Sequence, residues 1–258
     1  MAMILPSLRV DGKVALITGC GPGIGRAIAL GLAAAGADVA ATELPDRLPL
    51  AEENAAGVRG LGREALAVPL DVTDLDSIAA GVEAVRAHFG RVDVLVNNAG
   101  VNIVKPAFDI TPDDWDLTHN INLRGLFFVS QAVGRLMAAQ GQGKIVNVAS
   151  QFGLVGYPHR ATYSASKGGI VALTKTLAVE WAAYRITVNA IAPTYTATVH
   201  NAALRDDPAF VREYVERIPL GRLGIPEDLV GAIVYLASPS ADMVTGQTLA
   251  IDGGWTAW

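Results

Sequence analysis

The sequence predicts an α/β fold in which seven parallel strands form one doubly wound sheet with helices on both faces. Short β-branched or apolar runs alternate with Ala-rich amphipathic stretches along the 258 residues, a pattern typical of strand, crossover helix and parallel strand. No Pro/Ser-rich linker, internal repeat or low-complexity tract divides the chain, so we expect a single domain over residues 1–258. The chain is 51% hydrophobic and 17% charged, which favours a compact domain over disorder.

Seven segments are predicted as strands because each is a short apolar run that ends at polar or turn residues. They are Val14–Thr18, Asp38–Thr42, Leu66–Leu70, Asp93–Asn97, Lys144–Ala149, Ile186–Ile191 and Gln247–Ile251. The carboxyl ends of parallel strands meet at one edge of the sheet, where ligands of such folds bind. We therefore expect the functional residues just beyond these strands.

The segments between the strands have helical periodicity and are predicted as helices. They are Ile24–Ala35, Leu50–Leu61, Asp74–Phe89, Pro112–Ala139, Thr162–Ala183 and Glu227–Ala237. The start of the fourth is marked by Thr111–Asp114, which provides a capping hydroxyl, a first-turn proline and acids that suit the positive helix end. Residues 194–219 show few regular signals apart from a short helix over Pro208–Arg217, and we interpret this excursion as a substrate lid.

Composition excludes several classes of protein. The formal charge is −5 and Lys and Arg form no dense run, so we expect no nucleic-acid partner. Cys20 is the only cysteine, which rules out an intrachain disulfide, argues against a thiolate zinc site and favours a reducing cytoplasm. No uninterrupted apolar run reaches membrane-spanning length, and Met1–Leu8 is too short for a signal-peptide core.

The turn between the first strand and the first helix has the composition of a dinucleotide site. Thr18–Gly25 reads Thr-Gly-Cys-Gly-Pro-Gly-Ile-Gly, and glycines in such a turn allow a pyrophosphate to approach the backbone at the helix amino end. The alternative to a dinucleotide site is a glycine-rich turn that binds no ligand. Glu43, at the end of the second strand, can accept both ribose hydroxyls and would repel a 2′-phosphate, so the sequence favours NAD over NADP. No Arg or Lys directly follows Glu43.

A tyrosine and a lysine one helical turn apart form the candidate proton-transfer pair. Tyr163 and Lys167 are spaced i and i+4, so they share a helix face, and a nearby ammonium favours the phenolate. Ser150 follows a strand and is expected in the same cleft. Asn122 lies amid apolar residues, where its amide is either satisfied in the core or part of a proton path.

Together these motifs resemble the short-chain dehydrogenase/reductase family over Val10 to Trp258. The matching motifs are Thr18-Gly-x-x-x-Gly-Ile-Gly25, Asp71-Val72, Asn97-Asn-Ala-Gly100, Asn122, Ser150, Tyr163-x-x-x-Lys167 and the turn at Pro193. The resemblance implies a Rossmann-type fold and a metal-independent oxidoreductase that moves hydride between NAD and a secondary alcohol or ketone.

The resemblance also implies a role for each site residue. Tyr163 is the acid/base and Ser150 positions the substrate. Lys167 activates the tyrosine and binds the nicotinamide ribose, and Asn122 holds a proton-relay water. The implied cofactor residues are Gly19, Gly21, Gly23, Ile24, Gly25, Glu43, Asp71, Val72, Asn98, Ala99, Gly100, Tyr163, Lys167, Pro193, Thr196 and Thr198. Thr194 stands where the family usually has glycine, so the loop beside the nicotinamide is expected to differ.

The substrate end resembles gluconate, sugar and polyol dehydrogenases in Pro193–Thr196, Gln151 after the serine, Gly156–Pro158 and the ending Gly254–Trp258. A site for a hydroxylated substrate needs polar walls. The predicted substrate residues are Asn102, Ser150, Gln151, Arg160 and Tyr163, with His159 nearby. Lys105 or Arg160 is a candidate partner for a substrate carboxylate. For the loop residues the alternative is an exposed side chain without a role.

Two other functions are compatible with parts of this sequence pattern. A 3-oxoacyl thioester reductase shares every residue of the catalytic tetrad that the resemblance implies, which is Asn122, Ser150, Tyr163 and Lys167. Such reductases usually use NADPH, against which Glu43 argues. A non-catalytic NAD-binding scaffold would be expected to have lost part of the tetrad, which is complete here.

The resemblance implies a homotetramer, a dimer of dimers that packs through the Pro112–Ala139 and Thr162–Ala183 helices, with no membrane partner.

Overall fold

Seven parallel strands form the centre of the molecule in a computed structural model that describes residues 6–199 and 206–257. The strands are β1 (Val14–Ile17), β2 (Asp38–Glu43), β3 (Ala65–Pro69), β4 (Val94–Asn97), β5 (Gly143–Val148), β6 (Ile186–Pro193) and β7 (Thr248–Ile251). Their order across the sheet is β3-β2-β1-β4-β5-β6-β7. The chain reverses direction across the sheet between β1 and β4, which creates the crevice in which ligands of doubly wound folds bind.

Helices cover both faces of this sheet, as the sequence predicts. They are α1 (Ile24–Ala34), α2 (Leu48–Gly60), α3 (Leu75–Phe89), α4 (Pro112–His119), α5 (Leu126–Gln140), α6 (Ala161–Trp181), α7 (Pro208–Val215) and α8 (Glu227–Ala237). The largest core cluster joins the sheet to α1, α2 and α8, and the second largest joins it to α3, α5 and α6. Burial on both faces explains why the strands read as continuous apolar runs.

The long helix predicted over Pro112–Ala139 is wrong as a single helix. A π-helical turn over Asn120–Gly125 separates α4 from α5. This wider turn contains Asn122, whose side-chain amide is buried. Asn122 Oδ1 accepts from the Val101 N–H, and Asn122 Nδ2 donates to the Val101 carbonyl oxygen. Gly125 allows the turn to approach the neighbouring strand end, because a Cβ there would lie 2.6 Å from the carbonyl oxygen of Val72.

The remaining elements lie close to their predicted positions. β2 runs one residue further, to Glu43, and β6 runs two residues further, to Pro193. A short 3-10 turn over Pro45–Arg47 precedes α2 and is not predicted. None of the helices in the described ranges is long and apolar enough to cross a membrane. Part of the predicted lid, residues 200–205, lies outside the described residues.

A buried polar network fixes the ends of the two central strands. The side-chain amide of Asn97 in β4 donates to Asn147 Oδ1 in β5 at 2.9 Å and to Ser130 Oγ in α5 at 2.8 Å. Asn147 in turn donates to Thr174 Oγ1 in α6 at 3.0 Å. Hydrogen bonds of this kind between buried groups specify one register of strands and helices. The residues that follow β4 and β5 therefore leave the sheet at fixed positions.

Candidate active site

Two connected cavities open beyond the carboxyl ends of the strands. The larger, of about 580 Å³, is lined by the glycine turn, Glu43, Asp71 and Ala99, and the smaller, of about 250 Å³, by Ser150 and Tyr163 among others. Both are lined by Ile24, Asn98, Gly100, Val101 and Thr198. A separate cavity of about 500 Å³ lies at the amino ends of the strands, and none of the predicted site residues lines it. We call the first two the cofactor cavity and the substrate cavity.

The glycine turn brings backbone close to backbone at the crevice. A Cβ at Gly25 would lie 2.3 Å from the carbonyl oxygen of Gly19, and one at Gly19 would lie 2.9 Å from Ala99 Cα. Gly19 and Gly23 also have positive φ, +67° and +116°, which side chains rarely adopt. Helix α1 has no side-chain cap, so its first N–H groups are available to an anion. These residues fit the pyrophosphate of a dinucleotide.

The far end of the cofactor cavity carries acidic groups. Glu43 is buried and its Oε1 accepts from the Leu44 N–H at 3.1 Å. Asp71 Oδ1 accepts from Thr73 N and Thr73 Oγ1 at 2.8 and 2.7 Å, while Val72 lines the same wall. The structure thus brings the predicted adenosine residues into one cavity with the glycine turn.

Arg47 lines this cavity as well, which the sequence pattern does not predict. It ends the 3-10 turn that follows Glu43 and is partly buried. Because this turn folds the chain back, Arg47, four residues after the end of β2, reaches the end of the cofactor cavity that Glu43 lines. The signal available in the sequence is Leu44-Pro45, which starts a turn rather than a straight exit from the sheet. A cation therefore stands near the place where a 2′-phosphate would bind.

Lys167 is held at the end of β5. Its side chain is buried, and Nζ donates to the carbonyl oxygen of Val148 at 2.7 Å. Burial lowers the pKa of the Lys167 amine to about 8. The same Nζ lies 5.6 Å from the centre of the Tyr163 ring, so the two side chains share a helix face as their spacing predicts.

Burial raises the pKa of the Tyr163 hydroxyl above its usual value of 10.0. The nearby Ser150 side chain and the charge of Arg160 lower the pKa of this hydroxyl and favour the phenolate. That Lys167 activates the tyrosine stays a prediction. The guanidinium of Arg160, three residues before Tyr163, also takes part in the electrostatics of the phenol.

Asn122 joins the site through the π-helical turn. It is fully buried, and its amide nitrogen donates to Val101 O at 2.9 Å and to Ser166 Oγ at 3.1 Å. Ser166 in turn donates to the carbonyl oxygen of Tyr163 at 2.8 Å. A Cβ at Gly100 would lie 3.2 Å from Asn122 Oδ1 and 3.6 Å from Lys167 Nζ, so this glycine keeps the space between the two groups open.

The substrate cavity collects most of the remaining predicted residues. It is lined by Asn102, Ser150, Arg160, Tyr163, Lys167, Pro193, Thr196 and Thr198, together with Thr194, Tyr195 and Tyr214. Tyr214 belongs to α7 and carries no sequence motif, so only the structure reveals its place. Thr194, which replaces the usual glycine, is buried in this wall.

Gln151 is not part of this wall, contrary to prediction. Its side chain is buried and does not line the substrate cavity. Ser150 has extended backbone, with φ −169° and ψ 155°, a conformation that favours opposite directions for consecutive side chains and is consistent with this difference.

Lys105 does not line the substrate cavity, and its Nζ pairs with Asp114 Oδ2 at 2.6 Å at the start of α4. His159 is exposed and has a left-handed backbone, with φ 60°.

Comparisons with known proteins agree with this geometry. The family model described as Enoyl-(Acyl carrier protein) reductase matches residues 19–256. A 2-dehydro-3-deoxy-D-gluconate 5-dehydrogenase of Escherichia coli K12 is 43% identical over 99% of this chain and 100% of the relative. A 3-oxoacyl-acyl-carrier-protein reductase of Thermotoga maritima is 43% identical over 96% and 99% of the two chains. The crystal structure of a gluconate 5-dehydrogenase from Burkholderia cenocepacia J2315, in complex with NADP and tartrate, superposes with a TM-score of 0.94 at 41% identity, covering 99% of this chain and 100% of that one.

The lowered pKa of Lys167 gives an expected pH dependence of stability. The unfolded amine titrates near 10.5 and the folded one near 8, so between these values the folded chain binds fewer protons and its stability rises with pH. We expect the unfolding free energy of the native chain, relative to Lys167→Met, to rise by up to about 3 kcal/mol across this window. Urea unfolding of both proteins at pH 7.5 and pH 10 measures the difference. Lys175→Met, which removes an exposed lysine of the same helix, should show no such trend. A pH-independent difference for Lys167→Met would contradict the lowered pKa.

Proposed function

Since the chain belongs to the short-chain dehydrogenase/reductase family, we propose that it oxidises a secondary alcohol of a sugar, polyol or sugar acid, or reduces the matching ketone, with NAD as the hydride carrier. It is an oxidoreductase that acts on CH–OH groups. The observation that carries the proposal is the meeting of Ser150, Tyr163 and Lys167 on a cavity that opens into a dinucleotide-shaped crevice.

Each residue of the tetrad has a task that its contacts support. Tyr163 takes the proton of the alcohol, or returns one to the ketone, at its hydroxyl oxygen. Ser150 lines the same cavity as that phenol and orients the substrate oxygen beside it. Lys167 holds the ribose of the nicotinamide, and the buried Asn122 amide orders a water on the proton path. NAD supplies or accepts the hydride when bound.

The proposed cofactor contacts follow the cavity walls. The glycine turn with Ile24 would hold the pyrophosphate, and Glu43, Asp71 and Val72 the adenosine. Asn98, Ala99, Gly100, Pro193, Thr196 and Thr198 would border the nicotinamide half. The buried carboxylate of Glu43 supports NAD, whereas Arg47 and the NADP complex of the Burkholderia enzyme support NADP. We favour NAD because Glu43 lies at the strand end itself, where the ribose hydroxyls are read.

The activities named for the relatives and the polar walls of the substrate cavity support the proposed substrate class. The relatives include a 2-dehydro-3-deoxy-D-gluconate 5-dehydrogenase, and the Burkholderia gluconate 5-dehydrogenase is in complex with tartrate. The cavity of this chain has the polar walls that hydroxylated substrates need, with Asn102, Ser150, Thr196 and Tyr214 among them. The Thermotoga relative keeps a 3-oxoacyl thioester reductase as the second candidate. A non-catalytic scaffold is disfavoured because the tetrad is complete.

We further propose a homotetramer that works in the cytoplasm, with residues 194–219 as its substrate lid and residues 1–258 as one domain. Large apolar side chains stand exposed on α6 and just before β7, where Val179 is 80% and Met243 97% accessible, and such residues commonly lie in interfaces between subunits. The one cysteine, Cys20, is a buried thiol, as expected of a protein in a reducing compartment.

The reaction is tested with a panel of substrates and both cofactors. Gluconate, 2-dehydro-3-deoxygluconate, polyols, sugars and an acetoacetyl thioester are each supplied with the matching form of NAD or NADP, and the nicotinamide absorbance is followed. We expect the highest kcat/KM with NAD and a member of the sugar, polyol or sugar-acid group. A preference for NADPH and the thioester would instead support the second candidate.

Tyr163→Phe tests the proton-transfer residue. The variant keeps the ring and its packing but loses the hydroxyl, so we expect kcat to fall by about 10³-fold while NAD binding stays within about threefold of native. Turnover is measured by absorbance and NAD binding by fluorescence titration. Tyr184→Phe, an exposed tyrosine beyond the end of α6, is the matched control and should behave as native. Near-native turnover by Tyr163→Phe would rule out its assigned role.

Glu43→Ser tests cofactor choice. We expect it to shift the ratio of kcat/KM for NAD to that for NADP by about 10- to 100-fold toward NADP, because the ribose loses a charged acceptor and a 2′-phosphate no longer meets a carboxylate. Adding Arg47→Ala to this variant should lower the use of NADP without affecting NAD. Glu52→Ser, an exposed acid on α2, controls for the loss of charge. A native chain that already prefers NADP would refute the choice of NAD.

A further inference from the structure

A buried guanidinium lines the substrate cavity without an acidic partner. Arg160 is 5% exposed, and it lies in the same wall as Ser150, Tyr163 and Tyr214. Among residues 6–199 and 206–257 it takes part in none of the ion pairs. Burial of a charged group without a counter-ion is unfavourable, so a side chain in this state is prepared for a ligand of opposite charge.

The hydrogen bonds of Arg160 leave most of its donors unused. Nη1 donates to the carbonyl oxygen of His159 and Nη2 to the Tyr214 hydroxyl, both at 3.3 Å, which is long for a charged donor. Nε is buried and has no hydrogen-bond partner in the described part of the chain. A guanidinium has five N–H donors in a planar fork that matches a carboxylate. Within residues 6–199 and 206–257, Arg160 has neither a carboxylate partner nor enough neutral acceptors.

The other cations near the substrate are already engaged. Lys167, which also lines the cavity, directs its amine to Val148 O. Lys105 pairs with Asp114, and Arg47 lines the cofactor cavity at the adenosine end. Among the described residues, Arg160 is therefore the only guanidinium that lines the substrate cavity.

Local backbone geometry places this side chain. His159, the preceding residue, has a left-handed backbone that residues other than glycine rarely adopt. Such conformations persist where the surrounding structure holds them, and they concentrate at functional sites. Arg160 follows directly as the residue before α6, a helix start without a side-chain cap. The turn thus delivers a guanidinium to the cavity next to a helix end that itself favours negative charge.

We propose that Arg160 and the hydroxyl of Tyr214 bind a carboxylate of the substrate, so that this site selects sugar acids and other hydroxy acids over neutral sugars and polyols. The inference rests on the proposed function and narrows its substrate class. Arg160 would hold the carboxylate through paired N–H donors, while Ser150 and Tyr163 engage the reacting alcohol. Tyr214 belongs to α7, within the segment proposed as a lid, so the lid supplies part of the binding site.

The proposal has a consequence for proton transfer. Arg160 is one of the charges that favour the Tyr163 phenolate. A bound carboxylate neutralises that charge, so the pKa of Tyr163 should be higher with an acid substrate than with a neutral one. The pH at which kcat reaches half its maximum in the alcohol-oxidising direction, which reports the pKa of Tyr163 in the enzyme–substrate complex, should therefore be higher for acids.

The test compares acids with alcohols of the same carbon chain. Gluconate is paired with sorbitol, and xylonate with xylitol, and each pair differs only in a carboxylate or hydroxymethyl group at one end. Steady-state rates are measured with saturating cofactor, and binding of gluconate to the NADH-loaded enzyme is measured by calorimetry. The variants are Arg160→Met, Arg160→Lys and Tyr214→Phe, with Arg212→Met, an exposed arginine of α7, as the control.

We expect Arg160→Met to weaken gluconate binding by about 30-fold or more, because a hydrogen bond to a charged group is lost. The ratio of kcat/KM for the acid to kcat/KM for the alcohol should fall by the same factor. Arg160→Lys should lose about tenfold because it keeps the charge without the fork, and Tyr214→Phe about fivefold. The control should match the native chain. Should Arg160→Met fail to fold, the lysine and phenylalanine variants still give the acid-to-alcohol ratio.

Two results would overturn the carboxylate site: unchanged gluconate binding in Arg160→Met, or equal losses for acid and alcohol, which would mean a structural role. Native turnover of sorbitol or xylitol without any binding of acids would also overturn it while leaving the proposed function intact. Conversely, Arg160-dependent gluconate binding without turnover of any panel member would support the anion site and refute the proposed reaction.

Discussion

The hydrogen bond from the Lys167 amine to the carbonyl oxygen of Val148 is the contact on which the site depends. It joins α6 to the end of β5, two residues before Ser150 and one helical turn after Tyr163. An amine this deeply buried loses its water, and the carbonyl is the acceptor that makes its position tolerable. The lowered pKa of Lys167 is the cost of that arrangement, and the alignment of Ser150 with Tyr163 is its result.

The second constraint is the closeness of backbone segments at the crevice between β1 and β4. The Asn98 amide nitrogen donates to the carbonyl oxygens of Thr18 and Gly19 at 3.1 and 2.8 Å, which ties the end of β4 to the glycine turn. Because Gly19 and Gly25 present no side chains there, the cofactor cavity and the substrate cavity meet. A dinucleotide that lies along this crevice would bring its nicotinamide end to Tyr163.

The features that the sequence predicts depend on short-range geometry. A spacing of four residues on a helix is enough to put Tyr163 and Lys167 together, and the rule that parallel strands end at one edge is enough to place Glu43, Asn98 and Ser150. The π-helical turn escapes prediction because one wide turn hardly changes the apolar periodicity around Asn122. The other differences from prediction depend on long-range contacts or on the direction of a side chain. Lys105 pairs with Asp114, and Gln151 does not line the substrate cavity. Arg47 and Tyr214 line their cavities from a turn and a helix that carry no sequence motif.

Substrate recognition and proton transfer share one electrostatic field in this cavity. Arg160 stands three residues before Tyr163, so any change in its charge balance alters the phenol as well as the ligand. A wall built only for hydroxyl groups would leave the phenol unchanged on substrate binding, because hydroxyls bring no net charge. With a guanidinium in the wall, the protonation of Tyr163 depends on whether the substrate carries a carboxylate. The acid–base behaviour of the site thus becomes a property of the enzyme–substrate pair, and a carboxylate that fills the empty donors of Arg160 removes an unfavourable buried charge as it binds.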